Sequence, residues 1–257
     1  MVKGFVLPGG SLVKFEDAPK RLIGIMPEAL IYSLLENIQS PRPKGITVTM
    51  LTTPCLRKSY FQATEDYFVP IEDSYWSSYR GSMIHLALAK LKEYKPEYII
   101  EERIEKEISG VSISGKMDLY KPDSKTLVDY KTCAQIYTKY LPHADHKFQT
   151  EVYRFLLEPE HPVEKIQIAY LDGSGWATVK YGKSNLIQLI QAGETKFIGL
   201  NQGLDSREDV EIKLKIQLLK LNRALTQNIP PPASPCFLCD GKNKKGKIYC
   251  PFKIMCK

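Results

Sequence analysis

Two aspartates on either side of a turn constrain this chain more than any other feature. The stretch Gly115 to Lys131 reads as two strands. Val111, Ile113, Met117 and Leu119 recur at period two, Lys121-Pro122-Asp123-Ser124 carries turn chemistry, and Thr126-Leu127-Val128 resumes the strand. A turn centred on Asp123 and Ser124 sets Asp118 directly opposite Asp129. A turn centred one residue earlier sets them one diagonal step apart on the same face. Directly opposed side chains have Cβ atoms about 4.5–5.5 Å apart, and like charges placed so weaken a hairpin. A fold keeps such a pair when something positive lies between them, and a divalent cation with oxygen ligands suits the position. Alternation also puts Lys131 on the face of Asp129 and turns Tyr130 away. A single D-x-K is equally compatible with a solvated hairpin face, so the rest of the chain has to decide.

A chain of 257 residues suits one sizeable domain, or one domain with a small appendage. No apolar run reaches membrane-spanning length and the start lacks a signal-peptide pattern, which predicts a soluble protein of the cytoplasm, or of a host's cytoplasm if phage-encoded. The net charge of +7 is local. Residues 241–257 hold six lysines and no acid, and setting those aside leaves 30 basic residues against 29 acidic. A basic patch near the C-terminus suits a phosphate-bearing partner.

Residues 1–24 show no clear period and read as a loosely structured opening. Helical spacing runs from Pro27 to Gln39, and again from Ser74 to Tyr94 with Ile84, Ala87, Leu88 and Leu91 as its apolar stripe. Thr47 to Phe61 reads as the first turns of a helix with Pro54 near its start. Tyr98 to Ile108 is strand-like, His146 to Leu157 helical, and Val163–Leu171 with Trp176–Tyr181 forms a hairpin. Ser184 to Leu200 reads as helix. So does Asp205 to Leu225, where Ser206 and Asp209 form a capping pair. Pro230-Pro231-Pro232 stiffens a linker into a cysteine-rich tail.

Four signals stand in order along the chain. Arg80-Gly81-Ser82-Met83-Ile84-His85 lies on a helix, Gly115-x-x-Asp118 on a strand, Asp129-Tyr130-Lys131 on the next strand, and Gln149-x-x-x-Tyr153 on the following helix. This order resembles the RecB-like branch of the PD-(D/E)xK nucleases, with the match running from about Cys55 to Cys256. The resemblance implies a restriction-endonuclease-like α/β core with a central mixed sheet flanked by helices. It implies His85, Asp118, Asp129 and the backbone carbonyl of Tyr130 as ligands of Mn²⁺ or Mg²⁺, and Lys131 as the catalytic lysine. By the same resemblance Gln149, Tyr153 and Arg80 hold DNA. Carboxylates with ordinary pKa values near 4 are ionised at neutral pH and ready for a cation. Imidazole in the shell tilts preference toward Mn²⁺. As an ammonium, Lys131 stabilises charge in the transition state; as a neutral amine it activates water, and its ordinary pKa near 10.4 favours the first. Glu102 is a candidate support for the metal, against Glu101, Glu105 and Glu107 as a solvated charged strand. His143, His146 and His161 carry no partner pattern.

Six cysteines in a cytosolic chain do not suggest disulfides, and four fall in the last 22 residues. Taken alone, Cys236-x-x-Cys239 with Cys250 and Cys256 suggests tetrahedral zinc. The resemblance implies instead a 4Fe–4S cluster, held by Cys55 upstream and three cysteines of the tail. About ten residues intervene between Cys239 and Cys250, so Cys55, Cys236, Cys239, Cys250 and Cys256 compete for four positions. Such a cluster closes a long loop and is structural. Cys133 reads as a small apolar residue.

The expected organisation is a segment 1–45 with one helix, a nuclease core 46–229, and an iron–sulfur lobe 230–257 closing onto Cys55. The expected activity is metal-dependent hydrolysis of DNA, as an exonuclease on single-stranded or free ends. Two rivals stand beside it: a structure-specific or CRISPR spacer-trimming nuclease, and a zinc-containing, non-catalytic DNA-binding module. The chain has no G-x-x-x-x-G-K-S/T phosphate loop, so a helicase or an integrase, where needed, comes from another chain.

Overall fold

The computed structural model describes residues 2–7, 10–24, 27–28, 31–32, 35, 45–71, 76–133, 135–172, 175–182, 186–191, 194–200, 203–232 and 252. Two compact units are assembled from separate stretches of chain. One comprises 1–44, 53–82 and 220–257, the other 45–52 and 83–219.

The opening residues are ordered strands rather than a loose segment. Val2–Val6 (β1) pairs antiparallel with Leu12–Lys14 (β2), and Ala18–Leu22 (α1) follows. Phe5, Val13, Ala18 and Leu22 are buried together, so their scattered sequence positions form a core that no simple period reveals. Next come Ile46–Thr47 (β3) and Val48–Thr52 (α2), then Leu56–Thr64 (α3) and Tyr67–Pro70 (β4), which pairs parallel with β1. The helix read across 47–61 is therefore broken at Thr53-Pro54, and Cys55 becomes the N-cap of α3. Of the helix expected from Pro27 to Gln39, residues 28, 31, 32 and 35 are helical and the others lie outside the described residues.

The larger unit holds the central sheet. Trp76–Tyr94 (α4) leads into Ile99–Ile100 (β5), Arg103–Ile108 (β6), Val111–Lys116 (β7), Leu119–Lys121 (β8) and Thr126–Thr132 (β9). Ala144–Leu157 (α5) then crosses over to Lys165–Leu171 (β10), which lies parallel to β9. Trp176–Gly182 (β11), Leu186–Gln191 (β12) and Glu194–Leu200 (β13) extend the sheet by antiparallel pairing. The last two replace the helix expected over Ser184–Leu200; Ile187 and Leu189 alternate inward, the period of a strand. Arg207–Gln227 (α6) is the expected helix, with the Asp209 amide donating to Ser206 Oγ at 3.0 Å.

The resulting seven-stranded mixed sheet has the order β13-β12-β11-β10-β9-β8-β5, and a smaller sheet has the order β3-β7-β6. Val111 to Leu119 is thus not one strand. The chain leaves the small sheet after Lys116 and enters the large one at Leu119. Helix α4 packs Ile84, Leu88 and Leu91 against Leu119, Val128 and Tyr130 on one face. Helix α5 takes the other, where the hydroxyls of Thr150 and Tyr181 lie 2.8 Å apart. Buried Glu151 fixes the far side of α5, accepting the Asp205 amide at 3.1 Å beside Arg154 Nε at 3.0 Å.

Gly115 explains why a glycine stands three residues before Asp118. A Cβ there would lie 2.6 Å from both Tyr153 Cε1 and Val48 Cγ2, so only a hydrogen lets α5 and α2 close on β7. Gly115→Ala is expected to destabilise the protein by about 2 kcal/mol through overpacking. Denaturant unfolding measures it, and an unchanged midpoint would show that Tyr153 moves aside freely.

Candidate active site

Asp118 occupies the gap between the two sheets. Its pairing continues the β8–β9 ladder, in which Leu119 faces Val128 and Tyr120 faces Leu127, so Asp118 falls opposite Asp129 just beyond the last regular pair. Its Oδ2 accepts the Tyr130 amide at 2.7 Å, and its backbone carbonyl accepts the Glu101 amide at 2.9 Å. Asp129 is 3% exposed, on the face covered by α5. Lys131 shares that face: its Nζ lies 2.7 Å from Asp129 Oδ2 and donates to Gln149 Oε1 at 3.0 Å. Tyr130 turns the other way and packs beside Val128.

His85 comes from α4 and is half-exposed. Its Nδ1 lies 2.6 Å from Glu101 Oε1 and 4.0 Å from Asp118 Oδ1. Ligand atoms of His85, Glu101 and Asp118 all fall within 4.8 Å of one another. Glu101 is the residue that sequence reasoning assigned to the solvated charges. Its φ of +56° breaks the strand between β5 and β6 and flips side-chain parity, so Glu101 points into the site while Glu102, Glu105 and Glu107 stay exposed. No glycine or asparagine marks the left-handed position, so the sequence carries no cue to it. Lys116 pairs with the other oxygen of Glu101.

Tyr153 is buried, and its hydroxyl donates to the Lys116 carbonyl at 2.9 Å. The hydroxyl is thus engaged within the protein, on the strand that leads to Asp118. Gln149, one turn earlier, meets Lys131. His146 also lies here: its Nδ1 is 3.2 Å from the hydroxyl of Tyr170, the strand partner of Lys131. Burial, then Lys131 and His143, push its pKa down to about 4, so the ring is neutral at physiological pH. Arg80 is half-buried on α4. Cys55 is buried, Cys133 is half-buried with its amide on the Leu171 carbonyl at 2.9 Å, and Cys236, Cys239, Cys250 and Cys256 lie outside the described residues.

The donor set fits a hard divalent cation: two carboxylates and an imidazole within reach of one another, with Asp129 beside them. The sequence model of the PD-(D/E)XK nuclease superfamily matches residues 34–257. The chain belongs to that superfamily. It is a nuclease, and PD-(D/E)XK nucleases use divalent metals such as Mg²⁺ or Mn²⁺. In sequence, no curated protein matches it. Among solved structures, that of SSO0001 is similar over 88% of this chain and 93% of its own, at 20% identity and a TM-score of 0.54, which shows a shared fold. A phage-related exonuclease from Haemophilus somnus 129PT is similar over 58% of this chain and 69% of its own, at 17% identity and a TM-score of 0.35. No helix among the described residues is long and apolar enough to cross a membrane.

Electrostatics make the metal-free nuclease site costly. Burial first, then the neighbouring Asp129, push Asp118 from an ordinary 3.8 to about 6. Burial also raises Asp129, opposed by Lys131. A carboxyl whose folded pKa lies above its unfolded value favours the fold while protonated. That contribution is complete below about pH 4 and is lost as pH rises to about 6. Asp118→Asn is therefore expected to stabilise the metal-free protein at neutral pH by roughly 1–2 kcal/mol, with the gain vanishing near pH 4. Thermal unfolding in chelator across pH measures this, and a gain that persists at pH 4 would contradict it.

Proposed function

We propose that the protein is a Mn²⁺- or Mg²⁺-dependent deoxyribonuclease that works as an exonuclease on single-stranded or free DNA ends. The observation that carries the chemistry is the meeting of His85, Glu101 and Asp118 beside a lysine held by Asp129 and Gln149. The exonuclease reading rests on the resemblance of the ordered motifs to RecB-like enzymes.

In this reading His85, Asp118, Asp129 and the Tyr130 carbonyl hold the cation. When bound, it supplies Lewis acidity and a water of lowered pKa. Lys131 acts as an ammonium. The Asp129 carboxylate at 2.7 Å orients it, and the ammonium charge faces the anionic oxygens that develop at the scissile phosphate. Gln149 aims the ammonium by accepting one of its hydrogens, is itself tied to the Tyr153 side chain, and is proposed to hold the DNA strand beside it. Tyr153 acts from behind, by fixing the Lys116 carbonyl and so the approach of β7 to Asp118. Arg80 is proposed as a backbone contact.

A 4Fe–4S cluster is proposed for the smaller unit. Support comes from Phe252, which stands between Cys250 and Cys256. It is buried, with its ring centroid 5.7 Å from Phe61 and 4.8 Å from Tyr67. The helix carrying Phe61 is the one that Cys55 opens, so Phe252 packs on the element bearing the upstream cysteine. Cys256→Ala is expected to lower iron content and solubility. Iron and zinc analysis of the purified protein reads this out, and a colourless, zinc-loaded preparation would overturn the cluster.

Digestion of end-labelled single strands with Mn²⁺, Mg²⁺ or chelator tests the activity, and closed circular DNA separates exonuclease from endonuclease. Lys131→Ala is expected to reduce cleavage by about 10³-fold or more, the scale of a lost charge stabiliser, while DNA binding remains. Undiminished cleavage in that variant would defeat the mechanism.

A further inference from the structure

The seven-stranded sheet has a second face whose chemistry the active site does not use. Alternation puts Asp129 and Lys131 on the face under α5, and Thr126, Lys165, Gln167 and Lys180 on the other. Register sets Lys121, Thr126, Lys165 and Gly182 in one row across four strands, and Val128, Gln167, Lys180 and Gln188 in the next. Helix α4 covers only the Leu119–Val128–Tyr130 part of this face. Beside that cover lies a concavity of about 660 Å³ lined by Lys121, Lys165, Lys180, Thr126, Gln167 and Gln188 among others. A carboxylate also lines it, that of Glu164, which is neutralised by Lys125 at 2.8 Å. Among the described residues neither Lys165 nor Lys180 pairs with an acid.

Ammonium, carboxamide and hydroxyl groups over a groove floor form a donor surface for an anion. Its dimensions select the kind. Strands about 4.8 Å apart and rows about 6.6 Å apart put the Lys165 stem roughly 8 Å from that of Lys180 and roughly 10 Å from that of Lys121, with Lys121 and Lys180 roughly 16 Å apart. That span exceeds one phosphate and matches about five successive phosphates of a DNA strand, spaced about 3.4 Å along its axis. A chain of phosphates therefore engages all three lysines where a single small anion cannot. The groove is not the cutting site: Thr126 precedes Asp129 by three residues, about 10 Å along β9, on the opposite face.

We propose that this groove is a second DNA-binding surface, which grips the phosphodiester backbone of the substrate away from the cation site. The proposal rests on the nuclease reading and adds to it a hold on the substrate independent of the catalytic groups.

The test compares the wild type with Lys121→Gln/Lys165→Gln/Lys180→Gln, using a fluorescent single-stranded oligonucleotide in chelator. Loss of three phosphate contacts is expected to weaken binding about tenfold or more and to flatten the log–log salt dependence by about two. Steady-state cleavage should show KM raised with kcat retained, because the catalytic groups are untouched. A folded triple variant with unaltered affinity and salt slope overturns the proposal. Lysine acetylation of the wild type gives a reading free of any substitution. Bound DNA should protect Lys165 and Lys180 but leave the exposed Lys14 and Lys92 reactive, and equal acetylation with and without DNA overturns the groove. A wild type that neither binds nor cuts DNA takes the nuclease reading down with it, whereas cleavage with an unprotected groove removes the groove alone.

Discussion

The hydrogen bond from the Tyr130 amide to Asp118 Oδ2 holds the candidate site together. Asp118 sits where the chain has left the three-stranded sheet and has not yet joined the seven-stranded one, so no regular ladder fixes it. Its side chain instead reaches across to the backbone of β9, and its carbonyl receives the Glu101 amide from the opposite direction. One residue thereby ties three segments: the break before β6, the junction of β7 with β8, and the strand bearing Asp129 and Lys131. A charge-assisted bond of this kind is stronger than a neutral one, and burial strengthens it further. The same burial raises the pKa of Asp118, and the Tyr130 amide with Lys131 works against that rise by favouring the charged form.

Much of this was legible in the residues. The turn chemistry left two registers for the β8–β9 hairpin, of which the structure has the one centred on Asp123 and Ser124. The placing of Lys131 beside Asp129 and of Tyr130 away from it followed from alternation. His85 and Gln149 were singled out by the resemblance of the ordered motifs and not by periodicity, which gave only the helices α4 and α5 that carry them. What was hidden depended on contacts between distant segments. Glu101 enters the site through a backbone twist that any residue could in principle adopt, and none of its neighbours signals it. His146 has no partner in sequence because its partner, Tyr170, stands on a later strand. The β12–β13 hairpin was read as a helix since Leu186-Ile187 and Leu189-Ile190 suit either period, and only pairing with β11 decides between them.

The glycine before Asp118 and the tyrosine of the following helix form one device rather than two motifs. Tyr153 needs the space that Gly115 leaves, and its hydroxyl then caps the Lys116 carbonyl next door. Packing thus sets how deeply β7 sinks under α5, and depth sets where Asp118 emerges. Gly115 and Tyr153 thereby set the geometry of the candidate site from behind it.

The two halves of the proposed cation site are held in different ways. Asp129 stands on an interior strand, laced on one side to β8 and on the other to β10, with fraying left to the outermost strands β5 and β13. His85 stands on a half-exposed helical flank and is tied to the cradle by a side-chain contact to Glu101. For the proposed cation site this means that the histidine wall can swing while the carboxylate floor stays fixed by the sheet.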